Sequence, residues 1–200
     1  MELSPDAGTE YTDQRFKRLT CRAQVITRQK FDGCTFDHCS FQETVFQSCR
    51  FNDCTFTDCD LRLARVPGSS FRSVLFERSN VTGINWADGS WAKSGLLNSI
   101  GFHECDVSYA TFIGLELKKL VMTQCVAKDV DFSDANLTQA NCTETDFFES
   151  RFVHTNLTEA DFTHARNYAI DPSLNVLKNA KFSLPEAIAL LRGLNIELVE

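Results

Sequence analysis

The chain has 200 residues, 43% hydrophobic and 24% charged, with 27 acidic against 20 basic side chains and a net charge of −7. That length can bury a continuous core, and acidity of this kind argues against direct binding to nucleic acid. The opening MELSPDAGTEYTDQ lacks the basic-then-apolar order of a secretory leader, and no apolar run approaches a membrane span, so a cytoplasmic protein with reduced thiols is expected.

Residues 1–15 are polar and read as a tail or a cap. From Phe16 a five-residue step meets an apolar residue every time: Phe16, Cys21, Ile26, Phe31, Phe36 and so on through Trp86, Trp91 and Leu96. The phase then shifts by one, and the same step runs from Phe102 through Val107 and Phe112 to Phe162. Fifteen of the seventeen Phe fall in these two frames. Five is neither the helical period of 3.6 nor the strand period of 2; it suits a short extended piece followed by a corner. The residue two before each large apolar one is mostly Cys, Ala, Ser or Thr, as at Cys34, Cys54, Ala135 and Ala160. Residues two apart in an extended segment share a face, so both positions point inward and the remainder forms the corners and outer surface.

The nine cysteines all occupy inward positions of this frame. Five-residue spacing sends neighbouring cysteines to different walls, unlike the convergent pairs of a zinc site, and favours small core spacers. Disulfides between cysteines twenty apart, such as Cys34 with Cys54 or Cys39 with Cys59, are geometrically allowed. His38, His154 and His164 fall on the outer surface, and no nucleophile, metal or phosphate motif is present. Neither an enzyme, a cofactor nor a metal is expected.

The stretch TGINWADGSWAKSGLLNSIG, residues 82–101, holds two tryptophans, four glycines and the phase slip near 97–101. It reads either as a tolerated bulge of one extra residue or as a contact loop presenting Trp86, Trp91 and Gly101. Residues 129–161 concentrate carboxylates: Asp129, Asp131, Asp134, Glu144, Asp146, Glu149, Glu159 and Asp161 against Arg151 alone. Residues 15–30 hold six Lys or Arg and no acid.

In FSLPEAIALLRGLNIELVE, Ser183 with Glu186 forms a capping-box pattern, and Pro185 and Gly193 bracket a two-turn helix. Leu184, Ile188, Leu191 and Leu194 make one apolar stripe; Leu190, Ile196 and Leu198 add a second. A solenoid must cover its last coil, and the second stripe exceeds that need, so residues 167–200 are expected to cap the chain and form a homodimer.

The consensus is nearly literal in Asp134-Ala135-Asn136-Leu137-Thr138 and Glu159-Ala160-Asp161-Phe162-Thr163, and over residues 16–166 the chain resembles the pentapeptide repeat proteins. The resemblance implies an all-β solenoid, a right-handed quadrilateral β-helix. The capped C-terminal helix and apolar tail are similar to those of the Qnr-type quinolone-resistance, albicidin-resistance and microcin-immunity members. Those imply a dimeric rod that imitates DNA, binds DNA gyrase or topoisomerase IV and protects it from poisons, with the 129–161 acids as the DNA-like surface. A generic interaction scaffold is the alternative. A long projecting loop is not expected.

Overall fold

A computed structural model describes residues 8–91 and 100–194. Every strand pairing in it is parallel, and in all but two the partners lie twenty residues apart: Phe16 faces Phe36, Phe36 faces Phe56 and Phe56 faces Phe76. Four five-residue pieces therefore complete one turn of a solenoid of about eight turns. At about 4.8 Å between strands, the column from Phe16 to Phe182 is about 38 Å tall. Its first wall carries Tyr11, Phe31, Phe51, Phe71 and Trp91, its second begins at Phe16, its third at Cys21 and its fourth at Ile26.

The local reason for the square section lies at the corners. In nearly every repeat the residue two after the large apolar one has a positive φ, as at Asp13, Arg18, Ala23 and Arg28, with φ between 51° and 54°; at Trp86 a 3-10 turn, Trp86–Asp88, replaces it. The chain turns there, often through a β-turn such as Thr44 N–H to Phe41 carbonyl at 3.0 Å, whose third residue must be left-handed. Among the described residues, twenty-six non-glycine ones adopt this conformation. It is an uncommon one, held because each corner amide also donates to the next coil, as Asp13 does to the Asp32 carbonyl at 2.8 Å.

Inside, the rings of the second wall stack: Phe16 on Phe36 at 5.0 Å, Phe36 on Phe56 at 4.4 Å, Phe56 on Phe76 at 4.8 Å and Phe76 on Phe102 at 5.4 Å. Above Phe102 this wall continues with Met122 and Cys142, and the aromatic column passes to the fourth wall through Trp86, Phe112, Phe132 and Phe152. All nine cysteines are free and buried. Seven of them do more than fill space: like the neighbouring Ser and Thr, which donate from Ser69 to the Phe46 carbonyl at 2.6 Å and from Thr145 to Met122 at 2.7 Å, they donate to inner-coil carbonyls, the weaker thiol donor of Cys49 lying 3.3 Å from the Ile26 carbonyl.

Three boundaries differ from the sequence reading. The solenoid starts before Phe16, because Glu10–Thr12 already pairs with Lys30–Asp32 and Tyr11 stacks on Phe31 at 5.2 Å. The slip is larger than one residue: Val74 faces Ile100 and Phe76 faces Phe102, so this turn contains 26 residues instead of twenty. An insertion of six shifts a five-residue phase by one, and the phase is all that periodicity detects. Residues 92–99, including Leu96, lie outside the described part. At the far end, Arg151–Phe152 pairs with Ala169–Ile170, eighteen residues on, and Asp161–Phe162 with Lys181–Phe182, so the coils continue past residue 166.

The final element is a 3-10 helix, Glu186–Leu194. The Ser183 carbonyl accepts from Ala187 N–H at 3.0 Å, but the Ser183 hydroxyl accepts from His164 N–H at 2.8 Å. Ser183 thus caps the last coil with its side chain, not the helix.

Candidate protein-interaction surface

Around a four-walled rod, residues close in sequence face different directions, and the eight acids of 129–161 are dispersed accordingly. Asp146, Asp129 and Glu149 lie on the third wall and the corner that follows it; Asp131 and Asp134 lie on the fourth wall and its corner. Glu144 and Asp161 belong to the second wall, and Glu159 to the corner after the first. The cluster is not one face.

Neighbouring coils also neutralise part of it. Asp131 lies 3.5 Å from Arg151, Asp146 3.2 Å from Arg166, Asp161 3.2 Å from Lys181 and Asp134 3.4 Å from His154. Burial pushes the Asp146 carboxyl up, but hydrogen bonds from Asn167, Arg166 and the Phe148 amide outweigh it and hold the group below the usual carboxylate range. Glu144 and Glu159 accept from Gln124 at 2.9 Å and Gln139 at 2.7 Å. That leaves Asp129 and Glu149, one coil apart on the same corner, as the two whose carboxylates have no partner among the described residues.

The basic N-terminal stretch is balanced in the same way. Arg15 and Lys17 reach Asp37 at 2.9 and 3.7 Å, Arg22 reaches Glu43 at 3.5 Å, and Lys30 pairs with Glu10. An open pocket of about 380 Å³ is lined by Lys17, Arg18, Asp37 and His38. Asp37, His38 and Asp58 could approach a common metal ion, but Asp37 is already hydrogen-bonded by His38 and Arg15, which lower its pKa, and Asp58 by Arg78 at 3.1 Å. Cations occupy the lone pairs a metal would need. Burial pushes the Cys54 and Cys125 thiols up to about 12, so neither is a thiolate nucleophile at neutral pH.

Read as a contact loop, the 82–101 stretch does not present its marked residues. Trp86 is fully buried, stacked 6.1 Å from Phe112. Trp91 is half-buried, lies over Phe71 and donates its indole N–H to the Trp86 carbonyl at 2.6 Å. Gly101 is buried between Leu75 and Val121, and a Cβ there would sit 3.1 Å from Leu75 Cδ1. The five-residue frame already contained both tryptophans, so its inward assignment predicted their burial better than their hydrophobic character predicted contact.

At the C-terminal end Leu184 and Ile188 are exposed, together with Leu174 and Val176 on the last coil, while Leu190 packs partly against the core and Leu191 is half-buried. Only the backbone of Leu194 is described, and Ile196 and Leu198 lie outside the described residues. The sequence reading missed other exposed apolar side chains, among them Tyr109 and Phe148; their outward positions in the repeat were the available signal.

Family models for the pentapeptide repeat match in two blocks, a pentapeptide repeat region over residues 29–100 and an eight-copy repeat model over 128–164. Among solved structures, a trypsin-treated variant of QnrB1, a plasmid-mediated fluoroquinolone resistance protein, superposes with a TM-score of 0.54 at 18% identity, covering 98% of this chain and 100% of that one. A second trypsin-treated QnrB1 variant gives 0.54 at 19% identity over 93% and 100%. Identities this low speak to the fold. No curated protein matches the sequence. Among the described residues no helix is long and apolar enough to cross a membrane.

Proposed function

The chain belongs to the pentapeptide repeat proteins, and from that premise we propose that it is a non-enzymatic, cytoplasmic DNA mimic that binds a type II topoisomerase, DNA gyrase or topoisomerase IV, and shields it from poisons. One observation carries the reading: the charge is polarised along a rod of constant section. From residue 92 onward there are fifteen carboxylates against nine Lys or Arg, so almost all of the net −7 lies in the C-terminal half. Exposed Leu184 and Ile188 at that end support a homodimer whose two acidic halves adjoin, giving one longer acidic rod. The shared fold with a fluoroquinolone resistance protein supports the same class.

Such a rod meets the basic saddle of the enzyme by long-range attraction, which salt weakens. The test is a gyrase supercoiling and cleavage assay with a poison present and this protein titrated in, repeated at rising salt. Protection that declines with salt and competes with DNA is expected. Absence of both protection and binding at low salt overturns the proposal.

A further inference from the structure

Charge alone makes this rod a weak imitation of a duplex. Residues 100–182 carry twelve acids against seven Lys or Arg along four turns, about 19 Å, or one net charge per roughly 4 Å. Duplex DNA carries one per about 1.7 Å. A partner that binds this rod in preference to DNA must gain something besides charge.

Outward positions supply a candidate. Apart from the C-terminal end, four of the seven exposed large apolar residues among the described ones lie on the third wall and its corner, Leu63, Tyr109, Val126 and Phe148; Val25 and Ile113 stand on the fourth wall and Val121 on the second. Of the twenty-six non-glycine residues in the left-handed corner conformation, Leu63 and Tyr109 are the two large apolar ones, and both stand on this one corner. A bulky side chain there is strained; the Tyr109 amide donates to the Lys128 carbonyl at 2.8 Å as at the other corners, but its ring, 63% exposed, gains little from burial. Directly above Tyr109 on the same corner come Asp129 and then Glu149, the two unpaired carboxylates, and the Asp129 amide donates to the Phe148 carbonyl at 2.9 Å. Val126 sits between Asp106 and Asp146 in the bridge ladder.

We propose that this edge, with Tyr109 and Phe148 as its apolar anchors and Asp129 and Glu149 as its charges, is the strip the partner grips. Charge complementarity defines the occupant: a protein surface with basic side chains around an apolar one, which on the function proposed above is the DNA-binding saddle of the topoisomerase. The inference rests on that function. Aromatic anchors surrounded by polar contacts are the usual source of interface energy, whereas unpaired rim charges mainly set the association rate.

The experiment measures gyrase binding kinetics for the full chain, for Tyr109→Asn with Phe148→Thr, and for Val121→Thr on the second wall as a control. Asn tolerates the left-handed corner, and a thermal melt confirms folding. The double variant is expected to lose at least about tenfold in affinity through faster dissociation, with an unchanged salt slope, while the control binds like the parent. A parent that binds gyrase and a folded double variant that binds equally well overturn the strip but leave the function standing. A parent that does not bind overturns the function and the strip with it. If the double variant fails to fold, Tyr109→Asn alone, at a fully outward position, gives the same decision.

Discussion

Phe56→Ala tests the inward frame at its densest point. Phe56 is 1% exposed, stacked 4.4 Å from Phe36 and 4.8 Å from Phe76, with ring contacts to Phe51 at 5.8 Å and Phe41 at 6.2 Å. Truncating a buried Phe costs about 3–5 kcal/mol, the larger values arising where the site cannot collapse. Here it cannot, because the rings above and below are fixed at the ladder spacing by the backbone pairing of Thr35, Thr55 and Leu75. Two stacked pairs are lost as well, each contributing roughly 0.5–1.5 kcal/mol in part beyond area. The expectation is therefore the upper end, about 4–5 kcal/mol. Phe148→Ala is the same chemical change at a residue 47% exposed, and about 1 kcal/mol or less is expected. Urea denaturation followed by far-UV circular dichroism compares the two midpoints at constant slope. Equal losses would refute the assignment of inward and outward positions.

Other expectations follow from the same geometry. Denatured protein should titrate nine thiols, while in the folded form the thiols react with an aromatic disulfide at least about a hundredfold more slowly, because all nine are buried and desolvation raises Cys49 to about 11 and Cys54 to about 12; the hydrogen bond to Cys59 lowers Cys39 to about 7, so any residual labelling is expected there, and rapid labelling of the other thiols contradicts the buried ladder. Ile188→Asp should convert a dimer to a monomer in light scattering, because a charge at an exposed apolar contact is costly only when a partner covers it; an unchanged mass means the end is not the interface. Asp146→Asn should destabilise by about 1–2 kcal/mol at pH 7. The folded pKa of Asp146 is lowered, so its contribution is complete above about pH 4 and lost as pH falls through the lowered value. The gap between parent and variant should therefore close in acid melts, and a gap that persists at the lowest pH disproves the carboxylate's role.

The sequence by itself determined the repeat, the inward frame and hence the core. These are legible because each five-residue piece repeats one local decision: a large apolar residue, a small one two before it and a left-handed corner two after it. Phe36 under Phe56, the burial of every cysteine and the outward placement of His38 and His154 all follow from counting in fives. Whatever depends on the full turn escaped that count. The six-residue insertion was visible only as a shift of one, since a phase keeps the remainder and discards the whole repeat. The eight carboxylates of 129–161 form a cluster along the chain but separate onto four walls, because neighbours in space are twenty residues apart, and there Arg151, Arg166 and Lys181 neutralise three of them. The closing coil was hidden for a related reason. Ser183 carries the local pattern of a helix cap, yet the amide of His164, nineteen residues earlier, donates to its hydroxyl instead. Tyr109, Asp129 and Glu149, spaced twenty apart beyond the insertion, share one edge by the repeat itself, whereas Leu63 joins that corner only because the 26-residue turn carries the chain around once more.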